Sequence, residues 1–143
     1  MAKIAIEQPS ETDIDVIHGV LTKSYWSPGI ARGIVAKACA NSMCATARDD
    51  EGKLIGFARL VTDRATFAWL CDVIVLPGKQ GKGVGRNLVR VFQEHPDLQG
   101  LRRWMLGTRD AHGVYEALGF GPIEEPHRLM HIRNWNPYGI PTT

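Results

Sequence analysis

The chain has 143 residues, which is enough for one domain with a hydrophobic core and too few for two comfortable ones. Apolar residues make up 44% of it and charged residues 22%, the balance of a water-soluble globular protein, and no run approaches the roughly 18 apolar residues of a membrane span. The net charge of +2 is too small to indicate a nucleic-acid-binding protein. Three cysteines without paired spacing, and an N-terminus without a signal-peptide pattern, favour the reducing cytoplasm.

The first part of the chain predicts one strand and two helices. Residues 3–8 alternate between apolar and polar and predict a strand. Ser10 and Asp13 resemble a capping box, and the apolar residues that follow recur at helical spacing. A loop with two aromatic residues over 24–29 then leads to an alanine-rich helix over 30–41. Most of the predicted strands therefore lie after residue 42.

The rest of the chain is richer in strands. Residues 43–48 and 53–62 predict a hairpin, and a strand over 66–76 ends at Pro77 because proline cannot donate to the ladder. Four more elements follow: a helix over 83–94, a strand over 102–108, a helix over 111–118 capped by Asp110, and a last strand over 128–133 before an irregular tail from residue 134. The order β-α-α-β-β-β-α-β-α-β indicates an α+β domain with a mixed sheet.

The stretch KQGKGVGR at residues 79–86 directly follows the apolar run CDVIVLP. A Walker P-loop would need Ser or Thr after Gly-Lys, but Gly83 follows Lys82. A dinucleotide-binding fingerprint would need glycine at the position of Arg86. Two interpretations remain, a glycine-rich structural turn and a phosphate cradle. In a cradle, backbone N–H groups approach the phosphates without a Cβ in the way, and the helix N-terminus adds unpaired N–H groups.

Two motifs in register resemble the GNAT-type N-acetyltransferases. The residues Gln80-Gly81-Lys82-Gly83-Val84-Gly85 resemble the family's Q/R-x-x-G-x-G/A motif. One strand downstream, Asp110 to Phe120 resembles its A-x-x-x-Y-E-x-L-G-F signature, with Ala111, Tyr115, Glu116, Leu118, Gly119 and Phe120 in place. The resemblance implies a single domain over residues 1–143, with a mixed, mostly antiparallel sheet of about six to seven strands flanked by about four helices.

The resemblance also implies acetyl-coenzyme A as co-substrate and no metal. In the family the glycine loop holds the pyrophosphate, and the strand before it pairs with the pantetheine arm. The cofactor-binding residues carried over are Val73, Ile74, Val75, Gln80, Gly81, Lys82, Gly83, Val84, Gly85, Arg86 and Thr108. At Thr108 the family often has asparagine, so only a shorter hydroxyl contact is available. His127 and His131 are four apart on a strand or loop, where two histidines do not converge on one ion.

Two residues are candidates for the catalytic chemistry. Tyr115 matches the family's general acid, which protonates the leaving thiolate, and the alternative is a tyrosine of the core. Asp72 lies in an apolar strand, where burying a lone carboxylate is costly. It is therefore a candidate base or ammonium anchor, or else a structural partner of Arg59. His112 and a water chain are weaker alternatives for the base.

The expected reaction is direct transfer of an acetyl group to the primary amine of a small molecule, in a ternary complex. Candidate acceptor-binding residues are Tyr25, Trp26, Arg59 and Asp63, although the two aromatic residues suit a packing lid equally well. A silent acyl-CoA-binding or sensing domain and a peptide N-terminal acetyltransferase are the alternatives. No nucleic-acid or membrane partner is expected. The apolar Leu129-Met130-x-Ile132 stretch is a candidate for pairing across a homodimer interface.

Overall fold

The computed structural model describes residues 2–141, and within them five strands and four α-helices follow one another along the chain. The strands are β1 (Lys3–Ile6), β2 (Met43–Arg48), β3 (Leu54–Thr62), β4 (Phe67–Val75) and β5 (Arg103–Leu106). The α-helices are α1 (Glu11–Leu21), α2 (Arg32–Ala40), α3 (Val84–Gln93) and α4 (His112–Glu116), with short 3₁₀ turns at Pro96–Leu98 and Pro126–Arg128.

The strands form one sheet in the order β1-β2-β3-β4-β5. The first four pair antiparallel with their neighbours, whereas β4 and β5 run parallel. A parallel pair needs a crossover, which α3 supplies between β4 and β5. The prediction of a mixed, mostly antiparallel sheet with four helices is confirmed, but the described chain has five strands instead of six to seven.

The predicted last strand over 128–133 is wrong for this chain. Pro126–Arg128 forms a 3₁₀ turn, and residues 129–133 have no regular structure. An apolar alternation becomes a strand only where another strand pairs with it, and none of the described residues does so here. As a result Met130 is 96% exposed and Ile132 is fully exposed. The irregular tail is confirmed as far as residue 141.

The residue that caps the start of α4 also differs from the prediction. Asp110 does not cap it, because the N-cap position is Ala111, whose backbone N–H donates to Thr108 Oγ1 at 3.1 Å. The capping box at the start of α1 is confirmed, with Ser10 and Asp13 each accepting the other's backbone N–H. The loop before α4 is therefore held by a threonine hydroxyl in place of a carboxylate.

Both faces of the sheet are covered. On one face α1 and α2 bury Ile17 and Val35 against Phe57 of β3, and on the other α3 buries Leu88 and Phe92. Complete burial of each such side chain contributes about 1.5–3 kcal/mol. Helix α3 lies close to β3 because Gly56 has no side chain. A Cβ there would lie 3.0 Å from Val84 Cγ1 and 3.2 Å from the Ile74 carbonyl oxygen. This packing places the start of α3 at the end of β4.

Arg48, the last residue of β2, links α1 to the sheet through ion pairs. Its Nη2 lies 2.7 Å from the buried Asp13 Oδ2 and 3.1 Å from Glu7 Oε1. The hydrogen bond from Arg48 is the main cause that holds the pKa of Asp13 below its usual value. The pKa of Glu7 is lowered first by the Thr46 hydroxyl and then by Arg48.

Replacing Arg48 by methionine should lower the free energy of unfolding by about 2–4 kcal/mol at neutral pH, because it leaves the Asp13 carboxylate buried without its partner. The folded-state pKa of Asp13 is depressed, so its contribution is complete above the unfolded-state pKa and is lost as pH falls through the folded-state pKa. Urea denaturation should therefore show a wild-type advantage that shrinks in acid. Arg32→Met, which removes an exposed arginine, is the control, and an advantage of constant size would contradict the assignment.

Candidate active site

Strand β4 separates from β5 halfway along its length. The parallel ladder pairs Phe67 through Leu70 with Arg103 through Leu106 and ends there, while β4 continues to Val75. A bulge lies at the point of separation. Arg59 pairs with Asp72 and Leu60 with Leu70, so Cys71 is the extra residue. Bulges bend the strand that carries them. Beyond Leu70, the side of β4 that faces away from β3 thus presents backbone groups that β5 does not pair.

The glycine-rich loop begins where this open stretch of β4 ends. Gly78, Gly81 and Gly83 have φ between 79° and 83°, in the left-handed region that side chains disfavour. A Cβ on Gly81 or Gly83 would meet no atom within 4 Å, so the strain would come from the backbone and not from crowding. Gln80 Nε2 donates to the Val75 carbonyl at 3.3 Å and ties the loop to β4.

Helix α3 starts directly from this loop, with Gly83 as its N-cap. The hydrogen bond from Asn87 N–H to the Gly83 carbonyl, at 3.0 Å, is the first of the helix. Helix geometry therefore leaves the N–H groups of residues 84–86 without intrahelical acceptors. Lys82 and Arg86 are exposed beside them. Free N–H groups, a helix dipole and two cations make this end of β4 suited to an anion.

Asp72 of β4 is buried, with 5% of its surface exposed. Its Oδ2 accepts from Arg59 Nε at 2.7 Å and its Oδ1 accepts from Trp26 Nε1 at 2.8 Å. Arg59 also donates to Ser42 Oγ at 3.1 Å. Burial alone would lower the pKa of Arg59, but the Asp72 carboxylate outweighs it and raises that pKa. Both carboxylate oxygens are thus engaged, which is the arrangement of a structural ion pair.

The aromatic loop after α1 bridges the two separated strands. The rings of Tyr25 and Trp26 meet edge to face with centroids 5.1 Å apart. Trp26 reaches Asp72 on β4, while the Tyr25 hydroxyl accepts from the backbone N–H of Arg109, after β5, at 3.2 Å. The Arg109 guanidinium carbon lies 3.9 Å from the centroid of the Tyr25 ring. Both rings keep exposed surface, so they border the opening between the strands.

Tyr115 of α4 is half-buried and meets Phe120 edge to face at 6.0 Å. Burial raises the pKa of its phenol, and the nearby Tyr25 acts in the same direction. The phenol therefore keeps its proton well into the alkaline range. A proton donor is the role that such an environment favours.

A cavity of about 820 Å³ runs along the outer edge of β5, and we call it the β5 groove. Its lining residues come from β5 and the loop after it (103–108), from α4 (His112, Tyr115 and Glu116), and from the segment that follows (120–125, 128 and 129). Thr108, His112 and Tyr115 thus line the same cavity.

Asp63 lies apart from the other acceptor-binding candidates, of which Trp26 and Arg59 contact Asp72 and Tyr25 contacts Arg109. Asp63 lies in the β3–β4 turn, where its carboxylate accepts from the backbone N–H groups of residues 65–67 and from the Thr66 hydroxyl. These bonds, with the Thr66 hydroxyl first, hold the pKa of Asp63 well below its usual value. The turn is at the end of the β3–β4 hairpin opposite to Val75, which explains the separation.

The sequence interpretation missed Arg109 and Ser42. Arg109 stacks on a ring 84 positions earlier in the chain, and Ser42 holds the far side of Arg59. Arg109 directly follows Thr108, and only that adjacency could have drawn attention to it. Within residues 2–141, no three His, Cys, Asp or Glu side chains cluster as metal ligands, and none of the helices there is long and apolar enough to cross a membrane.

Comparisons with known proteins agree with this geometry. Residues 22–120 match the acetyltransferase (GNAT) family. A candidate GNAT acetyltransferase from Xanthomonas campestris pv. campestris, solved as a crystal structure, is 37% identical, with a TM-score of 0.90 and 98% of each chain covered. A candidate acetyltransferase of Gibberella zeae is 44% identical over 64 residues, which are 43% of this chain but 35% of that protein's length.

A more distant structure is an aminoglycoside N-acetyltransferase solved in complex with CoA. It is 21% identical, with a TM-score of 0.67, and the match covers 94% of this chain and 97% of that one. At this identity the likeness shows the fold alone. The family match and the Xanthomonas relative show more, since both cover most of this chain: it belongs to the acetyltransferase (GNAT) family.

Proposed function

We propose that the protein is an acetyl-CoA-dependent N-acetyltransferase that acts on the primary amine of a small molecule by direct transfer in a ternary complex. One observation carries the proposal. Beyond Leu70, β4 leaves β5 and runs straight into the left-handed glycine loop and the start of α3. Unpaired strand backbone, followed at once by an anion cradle, suits a ligand with amide groups at one end and a pyrophosphate at the other.

The residues present fit coenzyme A at both ends. Val73, Ile74 and Val75 lie on the open stretch of β4, where backbone groups would pair with the pantetheine amides while all three side chains pack against the core. The N–H groups from Gly81 to Arg86 would hold the pyrophosphate. When bound, acetyl-CoA would supply an activated acetyl thioester. Thr108 Oγ1 accepts from Ala111, so its hydroxyl proton remains available for donation.

The chain's own residues would supply orientation and one proton. Transfer breaks the acetyl C–S bond and forms a C–N bond, the amine loses a proton, and the departing sulfur gains one. Tyr115 would donate that proton, since burial keeps the phenol protonated. Asp72 has both oxygens engaged, so we assign the amine proton to water and give Asp72 the task of holding Trp26 at the opening.

Two glycines with left-handed backbone offer a matched pair of substitutions. Gly83→Ala should weaken coenzyme A binding about 10-fold or more, because a side chain at φ 79° costs about 1–2 kcal/mol and turns the backbone N–H groups away. Gly100→Ala is the control. Gly100 has a similar left-handed φ of 76° and a Cβ there would meet no atom within 4 Å, but it lies in the loop before β5 and not in the glycine-rich loop. Titration calorimetry with coenzyme A measures both affinities, and equal affinities would remove the loop from the binding site.

The function itself is tested by thiol release from acetyl-CoA over a panel of polyamines, free amino acids, aminoglycosides and short peptides. Enzyme without acceptor is the blank, because the half-buried Cys71 can react with the thiol reagent. Acceptor-dependent release, with initial velocities of the intersecting pattern, would support direct transfer and identify the acceptor class. Binding of acetyl-CoA without release would favour a sensing domain. Absence of binding would overturn the coenzyme A assignment.

A further inference from the structure

We infer that the acceptor is an α-amino acid with an aromatic side chain, whose carboxylate pairs with Arg109 and whose ring packs on the exposed aromatic residues beside the opening between β4 and β5. The inference rests on the proposed function and adds to it the class of acceptor. Two features of this opening carry it: an apolar surface that α1 and α2 leave uncovered, and an arginine held in place at its edge.

A row of apolar side chains crosses the sheet where β4 and β5 are still paired. Val61 of β3 pairs with Trp69 of β4, and Trp69 pairs with Met105 of β5. Their neighbours Leu60 and Leu70 are buried in the cluster that α3 covers, so by strand alternation the row faces the side of α1 and α2. Val61 and Trp69 nevertheless stay 40% and 38% exposed. Neither helix therefore covers this end of the sheet.

The aromatic loop after α1 continues this surface toward the point where β4 and β5 separate. The next pair of side chains on the same face is Arg59 and Asp72, and Trp26 donates to Asp72. Tyr25 and Trp26 are both exposed. Tyr25 also lies near Tyr115, the group that would protonate the departing sulfur. A ring that rests on these aromatic residues would thus bring an attached amine close to the reacting thioester.

Arg109 places a cation at the edge of this surface. Its guanidinium carbon lies 3.9 Å from the centroid of the Tyr25 ring, and its backbone N–H donates to the Tyr25 hydroxyl. The side chain is 64% exposed, and its contact with the exposed Asp110, at 3.5 Å, contributes little. A guanidinium stacked by its face keeps N–H donors along its edge, where a carboxylate can accept two parallel hydrogen bonds.

The same arrangement disfavours an acceptor with several positive charges. The face of the Tyr25 ring, where a second ammonium group would bind, is occupied by the Arg109 guanidinium. The buried Asp72 has both carboxylate oxygens engaged, by Arg59 and by Trp26. The surface beside them is apolar and suits a ring. An amine, a ring and one carboxylate occur together in an aromatic α-amino acid.

Matched acceptors test the inference. With acetyl-CoA, kcat/KM for phenylalanine should exceed that for phenethylamine, which lacks the carboxylate, and that for alanine, which lacks the ring, by about 10-fold or more. Spermidine should be a poorer acceptor than phenylalanine. Arg109→Gln should remove the advantage of phenylalanine over phenethylamine, whereas Arg90→Gln, at an exposed arginine of α3, should preserve it. An advantage that survives Arg109→Gln, or is absent from the wild type, would overturn the inference.

Calorimetry of phenylalanine with the protein saturated with coenzyme A measures the same site without turnover. Trp69→Ala should weaken phenylalanine binding about 5-fold or more with unchanged circular dichroism, because part of the ring is exposed. Trp135→Ala, at an exposed tryptophan of the tail, is the control. Equal affinities in all three proteins would contradict the inference.

The two proposals fail in different ways. A protein that binds acetyl-CoA and acetylates spermidine or an aminoglycoside in preference to phenylalanine would overturn the assignment of the acceptor and leave the acetyltransferase standing. A protein that does not bind coenzyme A would overturn both.

Discussion

Replacing Tyr115 by phenylalanine is expected to lower kcat by about 100-fold or more while the affinity for acetyl-CoA changes by less than about two-fold. The substitution removes one hydroxyl and keeps the ring that packs on Phe120. If Tyr115 protonates the departing thiolate, the lost interaction exists only in the transition state, and so the effect falls on kcat. Steady-state kinetics with the acceptor found in the panel, together with calorimetry, separate the two quantities.

The pH profile gives an independent readout of Tyr115. Burial raises the pKa of the phenol above its ordinary value, so the acid is present at neutral pH and is lost only as pH rises through the raised pKa. The wild type should therefore show an alkaline fall in kcat that Tyr115→Phe abolishes. Tyr138→Phe is the control, because it removes a hydroxyl from a ring that packs against the core on the opposite face of the sheet. Equal losses in both variants, or none in Tyr115→Phe, would rule out the acid role.

Breaking the buried pair of Arg59 and Asp72 should cause the largest loss of stability. Arg59→Met should lower the free energy of unfolding by about 3–5 kcal/mol, because it leaves a carboxylate buried without its cation. Adding Asp72→Leu to that variant should restore much of the loss, since the orphaned charge is then removed. Asp97→Ala, from an exposed pair with Arg64, should cost less than about 1 kcal/mol. Urea denaturation measures all four proteins.

Asp72→Asn separates the structural role from the catalytic one. The amide can still accept from Trp26, but it presents a donor to Arg59. We expect lower stability and lower kcat/KM with a pH profile of unchanged shape, because a carboxylate with both oxygens engaged is not the group that takes the amine proton. An acid limb that moves or disappears in this variant would show that Asp72 is the base.

The predictable part of the fold rests on local rules. The capping box at Ser10 and Asp13, the hairpin over β2 and β3 and the helix after the glycine loop all involve neighbours in sequence. The prediction of a last strand over 128–133 was wrong because an apolar alternation describes only one of the two strands that must pair. Whether Met130 and Ile132 pair with anything depends on an edge that another part of the chain, or another chain, must offer.

The sequence by itself determined that a glycine-rich loop follows the apolar strand and leads into a helix, since glycine permits the left-handed φ values that Gly81 and Gly83 adopt. Only the tertiary structure decided what surrounds it. The choice between base and ion-pair partner at Asp72 depended on Arg59 across the ladder and on Trp26, 46 positions away. The separation of β4 from β5 begins at Cys71, a bulge residue in the pairing with β3 that no local pattern announces. Hydrogen bonds and charges act over a few ångströms in space, and chain folding alone sets which distant residues come within that range.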